Sequence, residues 1–127
     1  MVVLHGLGDN LQSYRTLPAS INLPWLNYLL VNAPAPYITG RSWFDFPGDP
    51  QPGADRSYSE LVKLLDAQQA AGFPTDQTFL FGFSQGCLMV WETGVRYPHR
   101  LAGCIGVSGF MREPAQLLKA RSAVVGQ

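Results

Sequence analysis

Four absences narrow the functions open to this 127-residue sequence. No apolar run approaches the ~20 residues of a membrane-spanning helix, and no basic segment of a secretory signal precedes Val2. Nine basic and nine acidic residues give a formal net charge of zero, so the charge does not indicate nucleic acid or an anionic membrane as a partner. Cysteine and histidine, two of each, lack the spacing of metal ligands. We therefore expect no nucleic-acid partner, no membrane span and no metal site.

The scarcity of cysteine bears on the cellular compartment. A disulfide between Cys87 and Cys104 is one interpretation, but buried free thiols in a reducing cytosol are the better one, so we expect a cytoplasmic protein. Cys87 lies at a predicted helix start, where thiols become more reactive, yet a small packing residue explains it better. With 46% hydrophobic and 14% charged residues, the chain can bury one core, and we expect residues 1–127 to form a single domain.

Strand-like and helix-like segments alternate along the chain. The strands are predicted at residues 1–4, 27–31, 78–83 and 102–107, and the helices at 11–17, 57–71, 85–96 and from Glu113-Pro114 onward. This order predicts an α/β fold with about four mostly parallel strands and with helices on both faces of the sheet.

Proline and glycine interrupt this pattern. Pro18 is predicted to stop the first helix, and residues 32–56, which hold five prolines, are predicted to be irregular. Ser57 is predicted to begin the second helix with a capping box, because Glu60 lies three positions further on. The helix at 85–96 is apolar around most of its circumference, which predicts burial on most sides.

Residues 79–88 are the most informative stretch. An apolar run ends in Gly82-Phe83-Ser84-Gln85-Gly86, and a helical pattern follows at once. This is typical of a nucleophile elbow, in which a sharp turn between a buried strand and a helix exposes a serine. Gly82 and Gly86 lack side chains that would crowd the turn, and the Gln85 N–H would point to where a carbonyl oxygen becomes an oxyanion. Ser84 has a structural alternative as a small turn residue, but the flanking strand and helix favour the nucleophile.

The amino-terminal segment supplies a second part of such a site. The apolar run Val2-Val3-Leu4 ends in His5-Gly6-Leu7-Gly8-Asp9, and in α/β-hydrolases the second oxyanion N–H comes from a loop of this type. A dinucleotide fingerprint fails because Leu11 stands where the third glycine belongs, and the Gly-Lys-Ser/Thr of a P-loop does not occur. His5 is predicted to hydrogen-bond this loop rather than to act as a base, and Asp9 is predicted to accept backbone N–H bonds in the turn.

Taken together, the motifs resemble one family. The chain is similar to the acyl-protein thioesterase/carboxylesterase (phospholipase-carboxylesterase) group of α/β-hydrolases, and the resemblance extends over almost the whole sequence. Besides the two segments above, the matching residues are Asn32-Ala33-Pro34, Ser42-Trp43-Phe44-Asp45, Leu101-Ala102-Gly103 and Val107-Ser108-Gly109. Cys87 is a minor departure, since the family usually has another small residue there.

The resemblance implies a function and a set of site residues. It implies Ser84 as the nucleophile that attacks a small-molecule ester or thioester, with the Leu7 and Gln85 backbone amides as oxyanion donors and no cofactor. It also implies that Trp43 and Phe44 lie beside the acyl pocket, although core packing within a long loop is the alternative. The aromatic residues of this segment favour uncharged acyl groups.

The general base and its acid partner are missing from the expected places. In α/β-hydrolases they follow the nucleophile in the order acid, then histidine, but here only Glu92, Glu113 and His99 follow Ser84. Glu92 lies in the middle of a predicted helix, and His99 follows its end, so neither is expected to serve. The resembled family carries both residues after two further strands. The sequence is therefore similar to the central part of such a hydrolase, and we expect the acid and the histidine to lie outside it.

Two further expectations follow from that resemblance. The first is an alternative function: a truncated hydrolase-like domain that binds or assembles with no or feeble catalysis, because Ser84 without a general base keeps an ordinary hydroxyl. The second concerns assembly. In the resembled fold the strands at 27–31 and 102–107 are interior, so here we expect both to be exposed edges, which are templates for pairing with another chain. Self-association through an edge strand is therefore expected.

Overall fold

The computed structural model describes residues 1–124. Within them the strands are β1 (Val2–Leu4), β2 (Leu29–Val31), β3 (Ala35–Tyr37), β4 (Gly40–Ser42), β5 (Phe79–Phe83) and β6 (Gly103–Val107). The α-helices of the same range are α1 (Leu17–Ile21), α2 (Gln51–Ala70), α3 (Gln85–Arg96) and α4 (Pro114–Lys119), with short 3-10 helices at Leu11–Tyr14 and Thr75–Gln77.

The centre of the fold is a four-stranded parallel sheet with the order β2-β1-β5-β6. The predicted α/β class, with four mostly parallel strands flanked by helices, is confirmed. Leu4 at the end of β1 lies opposite Gly82 in β5. The loops that leave β1 and β5 therefore start side by side at the carboxyl edge of the sheet, which is where open α/β sheets bind ligands.

The core forms around this sheet. Strand β1 is buried along its whole length, because it has a neighbour on each side and α3 packs against it. Helix α3 is buried at most positions, which confirms the burial predicted from its apolar circumference, and α2 contributes Leu61 and Leu65 to the same core. Both cysteines are free thiols; Cys87 is buried and Cys104 is partly buried.

The start of α2 differs from the prediction. The helix begins at Gln51 rather than Ser57, with Pro52 in its first turn, where a missing N–H costs nothing. Ser57 is fully buried inside the helix, and its hydroxyl donates to the Trp43 carbonyl oxygen at 2.6 Å. The capping-box prediction was wrong because a tertiary contact uses the serine hydroxyl.

Two other local predictions, both based on proline, were also wrong. Pro18 does not stop a helix; it lies in the first turn of α1, and residues 11–17 hold a 3-10 helix instead. The stretch predicted to be irregular contains the antiparallel pair β3–β4. An isolated bridge between Asp9 and Arg41 joins this hairpin to the loop after β1, a long-range contact that local patterns do not reveal.

Within residues 1–124, no helix combines the length and the apolar character that crossing a bilayer would require.

Candidate active site

Ser84 lies in the turn between β5 and α3. Its backbone has φ 52° and ψ −113°, a region that residues with a side chain rarely occupy and that persists where the surroundings fix it. Here the Ser84 N–H donates to the Val107 carbonyl oxygen at 2.9 Å, and the Ser84 carbonyl oxygen accepts from the Cys87 N–H at 3.0 Å. The strained turn is thus held from β6 and from α3, and it leaves the serine at the carboxyl edge of the sheet.

Two glycines give the turn its room. A Cβ at Gly82 would lie 2.2 Å from the Gly86 carbonyl oxygen, and a Cβ at Gly86 would lie 2.2 Å from the Leu4 carbonyl oxygen. Both neighbours are backbone atoms, which cannot move aside without shifting a strand or the helix. The turn therefore requires glycine at both positions of the motif, as the sequence pattern predicts.

The loop after β1 passes beside the serine. A Cβ at Gly6 would lie 3.4 Å from the Ser84 Cβ, so the loop and the elbow are in van der Waals reach. Gly8 has φ 74°, and its N–H donates to the Arg41 carbonyl oxygen at 2.9 Å. Asp9 Oδ1 accepts from the Asn10 N–H at 2.8 Å and from the Ser13 hydroxyl at 2.5 Å. The loop is thus fixed by its own turn and by β4.

His5 holds the base of this loop. It is 1% exposed; its Nε2 accepts from the Ala33 N–H at 3.0 Å, and its Nδ1 lies 2.7 Å from the Gly6 carbonyl oxygen. These partners fit a neutral ring that donates from Nδ1, because a backbone N–H needs an unprotonated acceptor. Burial lowers the pKa of His5 below its usual 6.5, which favours the same neutral form. In this position His5 orders the loop.

Two backbone N–H groups of the described residues, one in the loop after β1 and one at the start of α3, lack a protein acceptor. In the part of the chain that the structure describes, neither the Leu7 N–H nor the Gln85 N–H donates to a protein acceptor, and the Ser84 hydroxyl has no hydrogen-bond partner. Gln85 is the first residue of α3, and the amino end of a helix favours negative charge. Both N–H groups are therefore available to an anionic oxygen, and the oxyanion role of Leu7 and Gln85 stays a prediction.

The segment of residues 42–44 lies against the elbow through the Gln85 side chain. Gln85 Oε1 accepts from the Trp43 N–H at 2.8 Å and from the Ser42 hydroxyl at 3.2 Å, and Nε2 donates to the Phe44 carbonyl oxygen at 2.8 Å. The motif predicts a role for Gln85 through its backbone N–H only. The side-chain role spans 42 positions of sequence, and no local signal points to it.

The predicted substrate contacts of this segment lie in the core. Trp43 is 1% exposed and Phe44 is 3% exposed, and the Trp43 indole N–H donates to the His5 carbonyl oxygen at 2.8 Å. Their side chains contact protein, so the packing alternative describes their place in this structure, and direct binding of substrate stays a prediction. By contrast, Phe83, which precedes Ser84, and Phe46, two residues after Phe44, are 41% and 61% exposed.

The acid and histidine residues that follow the nucleophile lie elsewhere. Glu92 is buried in α3, where Arg96 and Arg112 pair with its carboxylate at 3.2 Å and 3.1 Å. His99 is exposed beyond the end of α3, with its ring 5.4 Å from the Tyr97 ring. At 1.5 Å rise per residue, the twelve residues of α3 separate His99 from the elbow by ~18 Å. The described residues bring no general base to Ser84.

Comparisons with known proteins show what this chain is similar to. The family described as Phospholipase/Carboxylesterase matches residues 1–125. Acyl-protein thioesterase 1 of Schizosaccharomyces pombe is 33% identical over 137 residues, covering 98% of this chain and 61% of that protein. Acyl-protein thioesterase 1 of Saccharomyces cerevisiae is 26% identical, with 98% of this chain and 63% of that protein covered. The chain thus spans about three fifths of the length of the curated relatives it matches.

Solved structures show the same fold. Esterase PE8 has 30% sequence identity and a TM-score of 0.83 over 96% of this chain and 62% of that one. Arabidopsis thaliana SOBER1 superposes with a TM-score of 0.86 over 96% of this chain and 66% of that one, at 22% identity.

Proposed function

Because this chain belongs to the phospholipase/carboxylesterase family of α/β-hydrolases, we propose that it carries the nucleophile and the oxyanion donors of a serine hydrolase. The substrates are carboxylic esters or thioesters, and the reaction passes through an acyl-Ser84 intermediate. The observation that carries the proposal is the strained Ser84 turn at the amino end of α3, packed against the Gly6 loop.

In the proposed reaction, the Ser84 oxygen attacks the carbonyl carbon while a general base takes the hydroxyl proton. The carbonyl electron pair moves onto oxygen, and the Leu7 and Gln85 N–H groups donate to that oxyanion. Collapse breaks the bond to the alcohol or thiol, which leaves with the proton, and water repeats the sequence to release the acid. Protein groups supply each of these roles, so no cofactor is proposed.

The general base is proposed to come from the length that the relatives have beyond their match to this chain. Among residues 1–124 the Ser84 hydroxyl has no partner, whereas α/β-hydrolases place the acid and the histidine after the nucleophile in the chain. This part of the proposal therefore concerns the complete gene product rather than the 127 residues alone.

Uncharged acyl groups fit the surroundings of the serine. Phe83 is 41% exposed, and its ring lies 3.2 Å from the position of a Cβ on Gly6. An apolar ring directly beside the nucleophile stabilises an aliphatic or aromatic acyl chain by burying its surface.

Labelling with a fluorophosphonate tests the proposal, since that probe reacts with an activated serine. We expect the complete gene product to be labelled and to hydrolyse short-chain esters, and we expect Ser84→Ala to abolish both. Loss of a triad serine lowers kcat by about a millionfold. Ser59→Ala, at an exposed serine on α2, is the matched control and should retain full activity. Retention of more than about a tenth of the activity in Ser84→Ala would exclude Ser84, because that lies far outside the expected loss.

A second candidate function is binding or assembly without turnover. Among residues 1–124 the Ser84 hydroxyl has no hydrogen-bond partner, which favours this function for the polypeptide taken alone. If the complete gene product is folded but is not labelled, this alternative replaces the hydrolase.

A cytoplasmic location is proposed on the two thiols. Cys87 and Cys104 are both free, and burial raises the pKa of Cys104, so that thiol resists oxidation. Immunoblots of cell fractions test this, and recovery only from the secreted fraction would contradict it.

A further inference from the structure

The Gln85 side chain connects two parts of the site that are far apart in sequence. It is buried, and its carboxamide makes three hydrogen bonds to residues 42–44, two as acceptor and one as donor. A carboxamide offers two acceptor and two donor positions, so most of its capacity is used on this one segment. The backbone N–H of the same residue begins α3 with no protein acceptor among residues 1–124.

Trp43 extends the connection to the loop after β1. Its main-chain N–H binds Gln85, its carbonyl oxygen accepts from Ser57, and its indole N–H donates to the His5 carbonyl oxygen at 2.8 Å. All four residues are buried. The peptide that begins with the His5 carbonyl leads within two residues to Leu7. A buried chain of hydrogen bonds thus runs from Gln85 through Trp43 to the loop that carries Leu7.

The geometry points to Gln85 as a positioning residue: we propose that its side chain, acting through Trp43, sets the placement of the Leu7 N–H relative to the Gln85 N–H. The inference rests on the proposed function, because only an oxyanion hole needs that placement. Donors fixed before the reaction stabilise an oxyanion without reorganisation. A buried network in which each member has a partner is rigid, whereas a missing partner leaves a neighbour unsatisfied.

Two substitutions separate this role from general packing. Gln85→Met keeps the chain length but leaves the Trp43 N–H without its acceptor. It also removes one of the two donors to the Phe44 carbonyl oxygen, the other being the Ser42 hydroxyl. Trp43→Phe removes the indole N–H that binds the His5 carbonyl oxygen. The matched control is Gln69→Met, at an exposed glutamine of α2, which we expect to leave kcat and KM unchanged.

The measurement is ester hydrolysis by the complete gene product. The concentration of active sites is determined by fluorophosphonate titration of the serine, and kcat is calculated per titrated serine. Unfolded molecules are thereby left out of the rate. We expect Gln85→Met to lower kcat by about 10- to 100-fold, because a 1 Å misplacement costs up to about 100-fold. KM should change little, since the oxyanion forms only in the transition state. In a double-mutant cycle, the loss in Gln85→Met with Trp43→Phe should be smaller than the product of the single losses, because both act along one chain of contacts.

Three results would overturn the inference. The first is a kcat of Gln85→Met, per titrated serine, within about twofold of wild type, because a misplaced donor should cost much more than that. The others are a rise in KM with kcat unchanged, and losses in the double-mutant cycle that simply multiply. Where Gln85→Met does not fold, the kcat and KM criteria apply to Trp43→Phe alone, because it removes the indole donor to the His5 carbonyl oxygen and adds no charge. Failure of the proposed function is distinguishable, since wild type itself would then not be labelled.

Discussion

The main chain of Gly86 lies directly against the main chain of Leu4: a Cβ at Gly86 would lie 2.2 Å from the Leu4 carbonyl oxygen and 2.8 Å from that of His5. This contact docks the first turn of α3 on the end of β1. It also brings the elbow to the start of the loop that carries Leu7. The site therefore depends on a close approach of two backbones, and the residue that permits this approach has no side chain.

We predict that Gly86→Ala destabilises the fold by about 3 kcal/mol or more, because the added methyl meets backbone that cannot move aside. Urea unfolding measures the change. Gly103→Ala is the control: its Cβ would meet only the Phe79 side chain, at 3.2 Å, so we expect a loss below about 1 kcal/mol. Equal losses in the two variants would contradict the backbone argument.

The second prediction concerns the pH dependence of stability. Burial lowers the pKa of His5 from 6.5, so the unfolded chain binds more protons at this group than the folded one just below that pH. The corresponding stability is fully present above pH 6.5 and is lost as the pH falls towards the folded value. We therefore expect the free energy of unfolding to decrease between about pH 7 and pH 5, where an ordinary histidine titrates.

Substitution shows whether His5 is the cause. In His5→Gln, which cannot take up a proton, the decrease should be smaller, although overall stability falls because the Ala33 N–H loses a well-placed acceptor. His99→Gln is the matched control at an exposed histidine and should keep the full decrease. An unchanged decrease in His5→Gln would show that other groups cause it.

The third prediction separates Glu92 from catalysis. Its carboxylate is paired with Arg96 and Arg112 and is 5% exposed, while the arginine side chains are 25% and 17% exposed. We predict that Glu92→Ala destabilises the fold by about 3 kcal/mol, since it removes the buried carboxylate shared by two partly buried cations. Among residues 1–124, the carboxylate contacts of Arg96 are then reduced to the longer one with Asp55, at 3.7 Å, and Arg112 keeps the neutral Gln51 amide oxygen. Fluorophosphonate labelling of Ser84 per folded molecule should not change.

The exposed pair Glu60–Lys63, with side chains 56% and 72% exposed, gives the control for Glu92. Glu60→Ala should cost less than about 0.5 kcal/mol, as for exposed helix pairs. If Glu92→Ala abolished labelling in molecules shown to be folded by circular dichroism, Glu92 would have to be reconsidered as the acid of the site.

The elbow could be predicted from sequence because its determinants are contiguous. Strand, glycines, serine and helix follow one another, and the predicted helix at 85–96 matches α3 (Gln85–Arg96) residue for residue. The predicted strand at 78–83 differs from β5 (Phe79–Phe83) by one residue. The conformation of each of these residues is determined mainly by its near neighbours in the chain.

The errors are of two kinds: prolines that begin helices instead of ending them, and residues whose role is set by distant partners. Pro18 and Pro52 look like helix breakers in sequence but stand in first turns, where proline is tolerated. Ser57 looks like a cap until the Trp43 carbonyl oxygen takes its hydroxyl. The contact of Gln85 with residues 42–44 is non-local in the same way, and it depends on how the loop folds back over the elbow rather than on any local pattern.

Strand β6 presents a free edge within residues 1–124, because it pairs with β5 on one side only; β2 is the opposite edge. The exposed side chains of β6 include Ile105 at 39% and Val107 at 37%. An edge with unpaired N–H and C=O groups and apolar side chains is a template for pairing with another chain. The structure thus has the two edges that the sequence predicts, whereas pairing with a second copy stays a prediction.

The last prediction is that the 127-residue polypeptide self-associates through β6. Light scattering at micromolar concentration should give a mass above that of the 13.9 kDa monomer, increasing with concentration. Ile105→Lys should shift the population towards monomer, because a lysine on an edge strand opposes pairing by charge repulsion and by the cost of burying its ammonium group. Ile38→Lys adds the same charge at a residue that is 89% exposed in the loop between β3 and β4, away from the sheet edge, and should leave the mass unchanged. A monomer that unfolds cooperatively at all concentrations would show that β6 does not pair, and an equal effect of both lysines would assign the association to net charge instead of to the edge.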